Sequence, residues 1–236
     1  MIPQPAIDHP ARVRGMFDRI AHRYDRLNRI MTLGQDMAWR RSAVSMLGLA
    51  GGEHVLDLGA GTGDLALEIR RQDSTARVTA ADFSPGMIAV GRRRQGAAAL
   101  EWVVCDALRL PFAGRSFGGV VSGFLLRNVA ELDRALSEQF RVLRPGGWAV
   151  SLDTGPPPAG RMRRLLTFYE QRLIPLLGRL LAGESEAYKY LPQSIAAFLS
   201  PETLASRFQA AGFADVSFAQ RMFGTVALHR GRRPLR

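Results

Sequence analysis

Val55-Leu-Asp-Leu-Gly59-Ala-Gly61-Thr-Gly63-Asp64 is the stretch that decides the fold. A short apolar run, His54–Leu58, leads straight into three glycines at alternate positions, the mark of a strand turning sharply into a helix. Glycines there let the backbone approach a ligand, and the helix that follows offers unpaired amides carrying a partial positive charge. The spacing is Gly-x-Gly-x-Gly. A dinucleotide site expects Gly-x-Gly-x-x-Gly and a phosphate loop ends in Gly-Lys-Ser/Thr, and neither is met. The loop therefore suits a nucleoside ligand that has a carboxylate and no phosphate, and S-adenosylmethionine is the common one. A tight strand-to-helix turn without a ligand is the alternative.

Beyond the loop, strands are expected at Arg77–Ala81, Glu101–Val104, Gly119–Ser122 and Trp148–Leu152, separated by polar or helical-period segments. Val216–Gln220 and Thr225–His229, joined through Phe223-Gly224, read as a final hairpin after a helix from Pro201 to Ala211. This alternation predicts an α/β fold with a doubly wound, mostly parallel, seven-stranded sheet of Rossmann-like kind. In such a sheet Asp82, at the end of the second strand, can accept hydrogen bonds from both hydroxyls of a ribose. Asp106, past the third, can accept from an adenine amine, with Ala107 beside it and Cys105 packing against the base. Asp57, Gly59, Gly61, Thr62 and Gly63 complete the expected cofactor set, with Gly123 at the end of the fourth strand.

Upstream, Val13, Met16, Phe17, Ile20, Tyr24, Leu27, Ile30 and Met31 form the stripe of an amphipathic helix, and a second helix is expected from Asp36 to Leu47. Residues 1–50 thus read as a helical extension on the substrate side, and 51–231 as the cofactor-binding domain. Inside that domain a helical lid insertion spans 154–200 and contains an apolar helix, Met162–Leu181, that Pro175 should kink. Residues 232–236 are a basic tail.

The chain has 236 residues, 32 Lys+Arg and 21 Asp+Glu, a formal charge of +11, with Lys189 the single lysine. At 47% apolar and 22% charged it belongs with globular proteins. One cysteine excludes an internal disulfide and a multi-cysteine zinc cluster, so no structural metal is expected and a reducing, cytoplasmic compartment fits. No signal-peptide core and no apolar run of about 18 residues occurs, so the expectation is a protein free in solution or held at a membrane surface. The charge divides as +4 for residues 1–50, +1 for 51–150 and +6 for 151–236. The excess therefore surrounds a nearly neutral core, which favours an anionic membrane surface, such as the inner face of the cell membrane, over nucleic acid.

A narrower resemblance rests on five motifs. They are Met16-Phe-Asp-Arg-Ile-Ala-His-Arg-Tyr-Asp25-Arg-Leu-Asn28, Gly34-Gln-Asp-Met-Ala-Trp39-Arg-Arg41, Leu125-Leu-Arg127-Asn128-Val129, Arg141-Val-Leu-Arg-Pro-Gly-Gly147 and Ala187-Tyr-Lys-Tyr190-Leu-Pro-Gln-Ser194-Ile195. Together they resemble the UbiE-type menaquinone and ubiquinone C-methyltransferases, a class I S-adenosylmethionine-dependent family, from about Met16 to Gly231. The resemblance implies methylation of a ring carbon of a prenylated demethylquinol, demethylmenaquinol foremost. It carries Thr62, Asp82, Asp106 and Ala107 over as cofactor positions. Two motifs depart from the family pattern. Where Ser-Phe-Gly-Leu-Arg-Asn-Val is usual, Gly123 replaces the serine, and Leu152-Asp-Thr-Gly155 stands for Leu-Glu-Phe-Ser.

Methylating a quinol carbon calls for a phenolate, hence a base or fixed donors at its oxygen. Arg127 and Asn128 are expected to orient and polarise that oxygen, with Arg127 as the electrostatic stabiliser. Tyr24, Asp25 and Asp36, and less so His22, are candidates for the base. Tyr188, Tyr190 and Ser194 are expected to close over the ring or bond its second oxygen. An RNA methyltransferase and a catalytically silent cofactor-binding protein are the competing readings, and the oligomeric state is left open.

Overall fold

The computed structural model describes residues 10–158, 160, 163–168 and 185–235. Most of the expected helix Met162–Leu181, Pro175 included, lies outside the described residues. The chain opens with helices α1 (Pro10–Met31) and α2 (Gln35–Ser45) and then alternates. It runs through β1 (His54–Leu58), α3 (Asp64–Gln72), β2 (Arg77–Asp82), α4 (Pro85–Gly91), β3 (Leu100–Val104), β4 (Phe117–Gly123), α5 (Leu132–Val142) and β5 (Leu143–Thr154). Helices α6 (Arg163–Phe168), α7 (Ser185–Ala197) and α8 (Pro201–Ala210) precede the hairpin β6 (Ala214–Arg221) and β7 (Val226–Arg232).

The seven strands lie in the order β3-β2-β1-β4-β5-β7-β6, all parallel except β7, which runs antiparallel to both neighbours. The apolar core of β1 explains its central place: from Val55 to Leu58 every side chain is buried, as expected of a strand covered on both faces. Successive residues feed opposite cores. Val120 and Ala149 pack with α5 and α8 residues such as Leu136 and Phe208, whereas Val121 and Val150 pack with Trp39, Val44 and Ile69 of α2 and α3. The crossover changes side between β1 and β4, so the C-terminal ends of these strands open the crevice where such sheets bind ligands.

Strand β5 begins earlier than the expected Trp148. It runs from Leu143 through Pro145-Gly-Gly147 with a register break against β4, and a Cβ at Gly147 would lie 2.6 Å from the Gly118 carbonyl oxygen. Only glycine admits that approach, so this segment is a bulge inside the strand.

Helix α1 packs across the sheet edge onto α4. Met16, Ile20, Ala21, Leu27 and Met31 form a buried cluster with Met87. The carboxylate of Asp18 accepts from the Ser84 hydroxyl and, at 2.9 Å, from the Gly86 N–H. The amphipathic stripe thereby becomes the roof of a site. Among the described residues no helix is long and apolar enough to cross a membrane.

Candidate active site

A cavity of about 1110 Å³, mouth included, lies at the C-terminal ends of β1, β2, β3 and β4, and Val13, Phe17 and Tyr24 of α1 roof it. Its floor is the glycine loop. Gly59 and Gly61 have φ of 70° and 56°, the left-handed region that side chains resist, and both line the cavity together with Thr62. Gly63 turns away from the cavity. Its φ is 92°, and a Cβ there would meet the Trp102 ring at 2.7 Å, so this glycine serves the turn and not the ligand. The Thr62 hydroxyl donates to Asp25 of α1 at 2.6 Å, tying loop to roof.

Asp82 lies where the ribose argument needs it. One carboxylate oxygen accepts from the Gly61 N–H and the other from the Ser84 N–H, each at 2.7 Å. Burial raises its pKa, against the pull of those amides, and it lines the cavity. Cys105, Asp106 and Ala107 follow along the same wall. Burial pushes the Cys105 thiol up to about 12, so it presents an apolar sulfur to the cavity. Left-handed glycines at the loop, a buried carboxylate for hydroxyl donors and a thiol-to-alanine wall for a flat base fit S-adenosylmethionine. Among the described residues no cluster of three or more His, Cys, Asp or Glu could hold a metal.

Asp57 is a correction. It is fully buried beneath the loop and lines no cavity; Oδ2 accepts from the Ala66 N–H at 2.8 Å, which fastens the start of α3 to β1. Burial pushes its pKa up to about 7. Asp36 is a second. It sits with no exposed surface in a network of three acids and three arginines drawn from α1, α2, α3 and Arg94, bound by Arg29, Arg40 and the Thr32 hydroxyl, and lines neither cavity. Asp64 binds Arg29 and Arg94 at 2.8 Å and Arg40 at 3.3 Å; burial opposes its ionisation, but Arg40 and the other two hold its pKa below the usual value. Asp25 completes the network, 3.4 Å from Arg94. These carboxylates are committed to cations, which removes them from base chemistry, and His22 lines neither cavity.

Past β4 the chain turns at Phe124, whose φ is 58°, and enters a short 3₁₀ turn, Leu126–Asn128. The Phe124 ring lies between the Arg40 and Arg127 guanidiniums, 5.3 and 5.2 Å from its centroid. Arg127 pairs with Asp153 at 2.5 Å, and its N–H donates to the same carboxylate. It therefore lines a second cavity of about 680 Å³ rather than the cofactor cavity. Asn128 does line the cofactor cavity; its Nδ2 donates to the Phe124 carbonyl at 2.8 Å and its Oδ1 accepts from the Tyr190 hydroxyl at 3.1 Å. Tyr190 is thus a brace for Asn128, and Ser194 donates to the Leu191 carbonyl of its own helix; neither lines a cavity. Tyr188 is on α7, with its side chain outside the described residues. At Gly123 a Cβ would sit 2.8 Å from Leu65 Cδ1, so Leu65 fills the room a serine would take.

Tyr24 and Phe124 belong to the walls of both cavities and form the partition between them. The second cavity is mostly apolar, with Met31, Trp39, Leu166, Leu191 and Met222 among its residues and Asn28, Thr32, Arg127, Thr154 and Thr225 as its polar members. Asn28 and Trp39 stand inside motifs quoted above, so their presence was signalled. Thr154 stands where the sequence departs from the family pattern, whereas Met222 carried no local signal.

A Rossmann-like seven-stranded sheet of this order, with a glycine loop and an acid after β2, defines a class I S-adenosylmethionine-dependent methyltransferase. The pattern of the ubiE/COQ5 methyltransferase family matches residues 7–233, and the chain belongs to that family. It is 46% identical over 219 residues to the ubiquinone/menaquinone biosynthesis C-methyltransferase UbiE of Desulfotalea psychrophila, covering 93% of this chain and 89% of that one. It is 44% identical to the demethylmenaquinone methyltransferase of Thermus thermophilus, over 93% of this chain and all of the other. Among solved structures, an S-adenosylmethionine-dependent methyltransferase of Thermotoga maritima superposes with a TM-score of 0.69 at 18% identity, covering 95% and 100% of the two chains. The [4+2]-cyclase SpnF superposes with a TM-score of 0.72 at 19% identity, over 100% and 99%. At such identities the structural likeness speaks for the fold alone.

Proposed function

We propose that the protein transfers a methyl group from S-adenosylmethionine to a ring carbon of a prenylated demethylquinol, demethylmenaquinol foremost. The observation that carries this reading is the pair of cavities meeting at Tyr24 and Phe124, one suited to the nucleoside and one mostly apolar. Bound S-adenosylmethionine would supply an electrophilic methyl group. The chain supplies the rest. The apolar wall takes the ring, and Arg127, held rigid by Asp153, is the fixed positive charge for a ring oxygen losing its proton. Tyr24 is the remaining candidate to relay that proton, since the acidic alternatives are locked in ion pairs. The test is methyl transfer from labelled cofactor into demethylmenaquinol and into RNA. Label in the quinol supports the reading, label in RNA supports a nucleic-acid enzyme, and cofactor binding without transfer supports a silent protein.

A lipid substrate implies work at a bilayer, and we place this enzyme at an anionic membrane surface, the inner face of the cell membrane. Leu33, Phe168 and Phe223 are 78%, 62% and 70% exposed, and they neighbour Thr32, Leu166 and Met222 of the second cavity's wall. Exposed Arg163, Arg164 and Arg221 accompany them. Large apolar side chains ringed by arginine fit an anionic interface. Cosedimentation with anionic vesicles at low salt, weakened by salt and by Phe223→Ser, supports the placement, and no sedimentation at low salt removes it.

A further inference from the structure

Three buried side-chain atoms of residues in the second cavity's wall have no hydrogen-bond partner among the described residues: Asn28 Nδ2, Arg127 Nε and Thr154 Oγ1. They come from three elements, α1, the turn after β4 and the end of β5. The wall's other threonines are engaged, Thr32 donating to the Asn28 carbonyl at 2.8 Å and Thr225 to the Met222 carbonyl at 2.9 Å. Buried polar atoms without partners are costly, and three of the ten among the described residues belong to the wall of this one cavity, which points to a ligand that pairs them.

We infer that Thr154 and Asn28 recognise the second oxygen of the quinol ring, while Arg127 serves the first. The assignment rests on the function proposed above and adds to it the residues that read the ring. The chemistry of the atoms divides the labour. Asn28 Nδ2 can only donate, and a threonine hydroxyl can also accept. A neutral phenolic hydroxyl needs one of each: it accepts from Asn28 and donates to Thr154. The guanidinium Nε, a charged donor, suits the oxygen that becomes anionic. The ligand class is therefore an aromatic ring with two oxygens on different sides, one of which keeps its proton. Alternation along β5 sends Asp153 towards Arg127 and the next side chain, Thr154, to the opposite face, beside Trp39 and Val226 in the wall.

Thr154→Val keeps the side-chain shape and deletes the hydroxyl; Thr154→Ser keeps the hydroxyl. Equilibrium binding to the S-adenosylhomocysteine-loaded enzyme is measured, without oxygen, for a short-tailed demethylmenaquinol and for a prenylated naphthol lacking the distal hydroxyl. Thr154→Val should weaken the dihydroxy ring about tenfold, leave the naphthol and the cofactor unchanged and not lower the melting temperature, and Thr154→Ser should restore binding. Equal weakening of both rings, or unchanged binding of the quinol, overturns the assignment. Methylation of the quinol by the unsubstituted enzyme, followed on the same preparations, reports separately on the underlying function. Quinol methylated with Thr154→Val indifferent removes the oxygen site alone, and no quinol methylation by a cofactor-binding enzyme removes both.

Discussion

Replacing Asp57 by asparagine should make the protein more stable at pH 8 and hardly change it near pH 4. Asp57 has no exposed surface, and among the described residues its side chain accepts from the Ala66 N–H alone, leaving Oδ1 without a partner there. Burial is the dominant influence and pushes its pKa from 3.8 to about 7, with the Ala66 amide and Arg40 pulling the other way. Between those values the folded chain keeps a proton that the unfolded chain has released. Stability therefore falls as pH rises through this window and levels off above about 7. At about 1.36 kcal/mol per pH unit the full effect is at most about 4 kcal/mol. Asparagine keeps a carbonyl for the Ala66 N–H and carries no charge, so the variant escapes this loss. The assay is urea unfolding of both proteins at pH 5, 6, 7 and 8. His229 acts with the opposite sign, because burial holds its pKa below 6.5, so the difference between the two proteins is the quantity to read. That difference should grow steadily towards pH 7 and then stay constant. A difference independent of pH across the range refutes the reasoning.

Asp82→Ala should weaken cofactor binding at least tenfold by calorimetry, because it removes the carboxylate proposed for the ribose and frees the Gly61 and Ser84 amides it holds. Arg127→Met should both abolish methyl transfer and destabilise by about 3–5 kcal/mol, leaving Asp153 buried and unpaired. Adding Asp153→Leu should restore the melting temperature without restoring activity, separating the two roles. Gly123→Ser should cost no more than about 2 kcal/mol in urea unfolding, because the atom in its way is the flexible end of Leu65.

The fold was legible because a parallel sheet writes itself as apolar runs punctuated by glycine, and all seven strands were found in place to within a few residues. That β7 slots between β5 and β6 is a long-range pairing with no local mark. In the site, Asp82 could be read because the end of a strand in such a sheet points at the ligand edge. Asp57 misled for a related reason: a buried carboxylate inside a strand and one at its tip that lines the cavity look alike until the face is known. Asp36 resembled a base because its partners Arg29 and Arg40 are separated from it by a helix turn and a helix face. Arg127 was recognised as important, but its pairing with Asp153, 26 residues away, decides which cavity it meets. Thr154 and Met222 join one wall from different strands' ends, and only tertiary structure assembles them.

Helix α1 is held at two points, by Asp18 over the start of α4 and by Asp25 on Thr62 of the glycine loop, and it contributes Tyr24 to both cavities. One rigid rod is thus a common door for two rooms. A substitution that shifts this helix would therefore reshape both cavities at once. Each end is a carboxylate accepting from neutral hydroxyl or amide donors, so its hold depends on geometry more than on the surrounding salt.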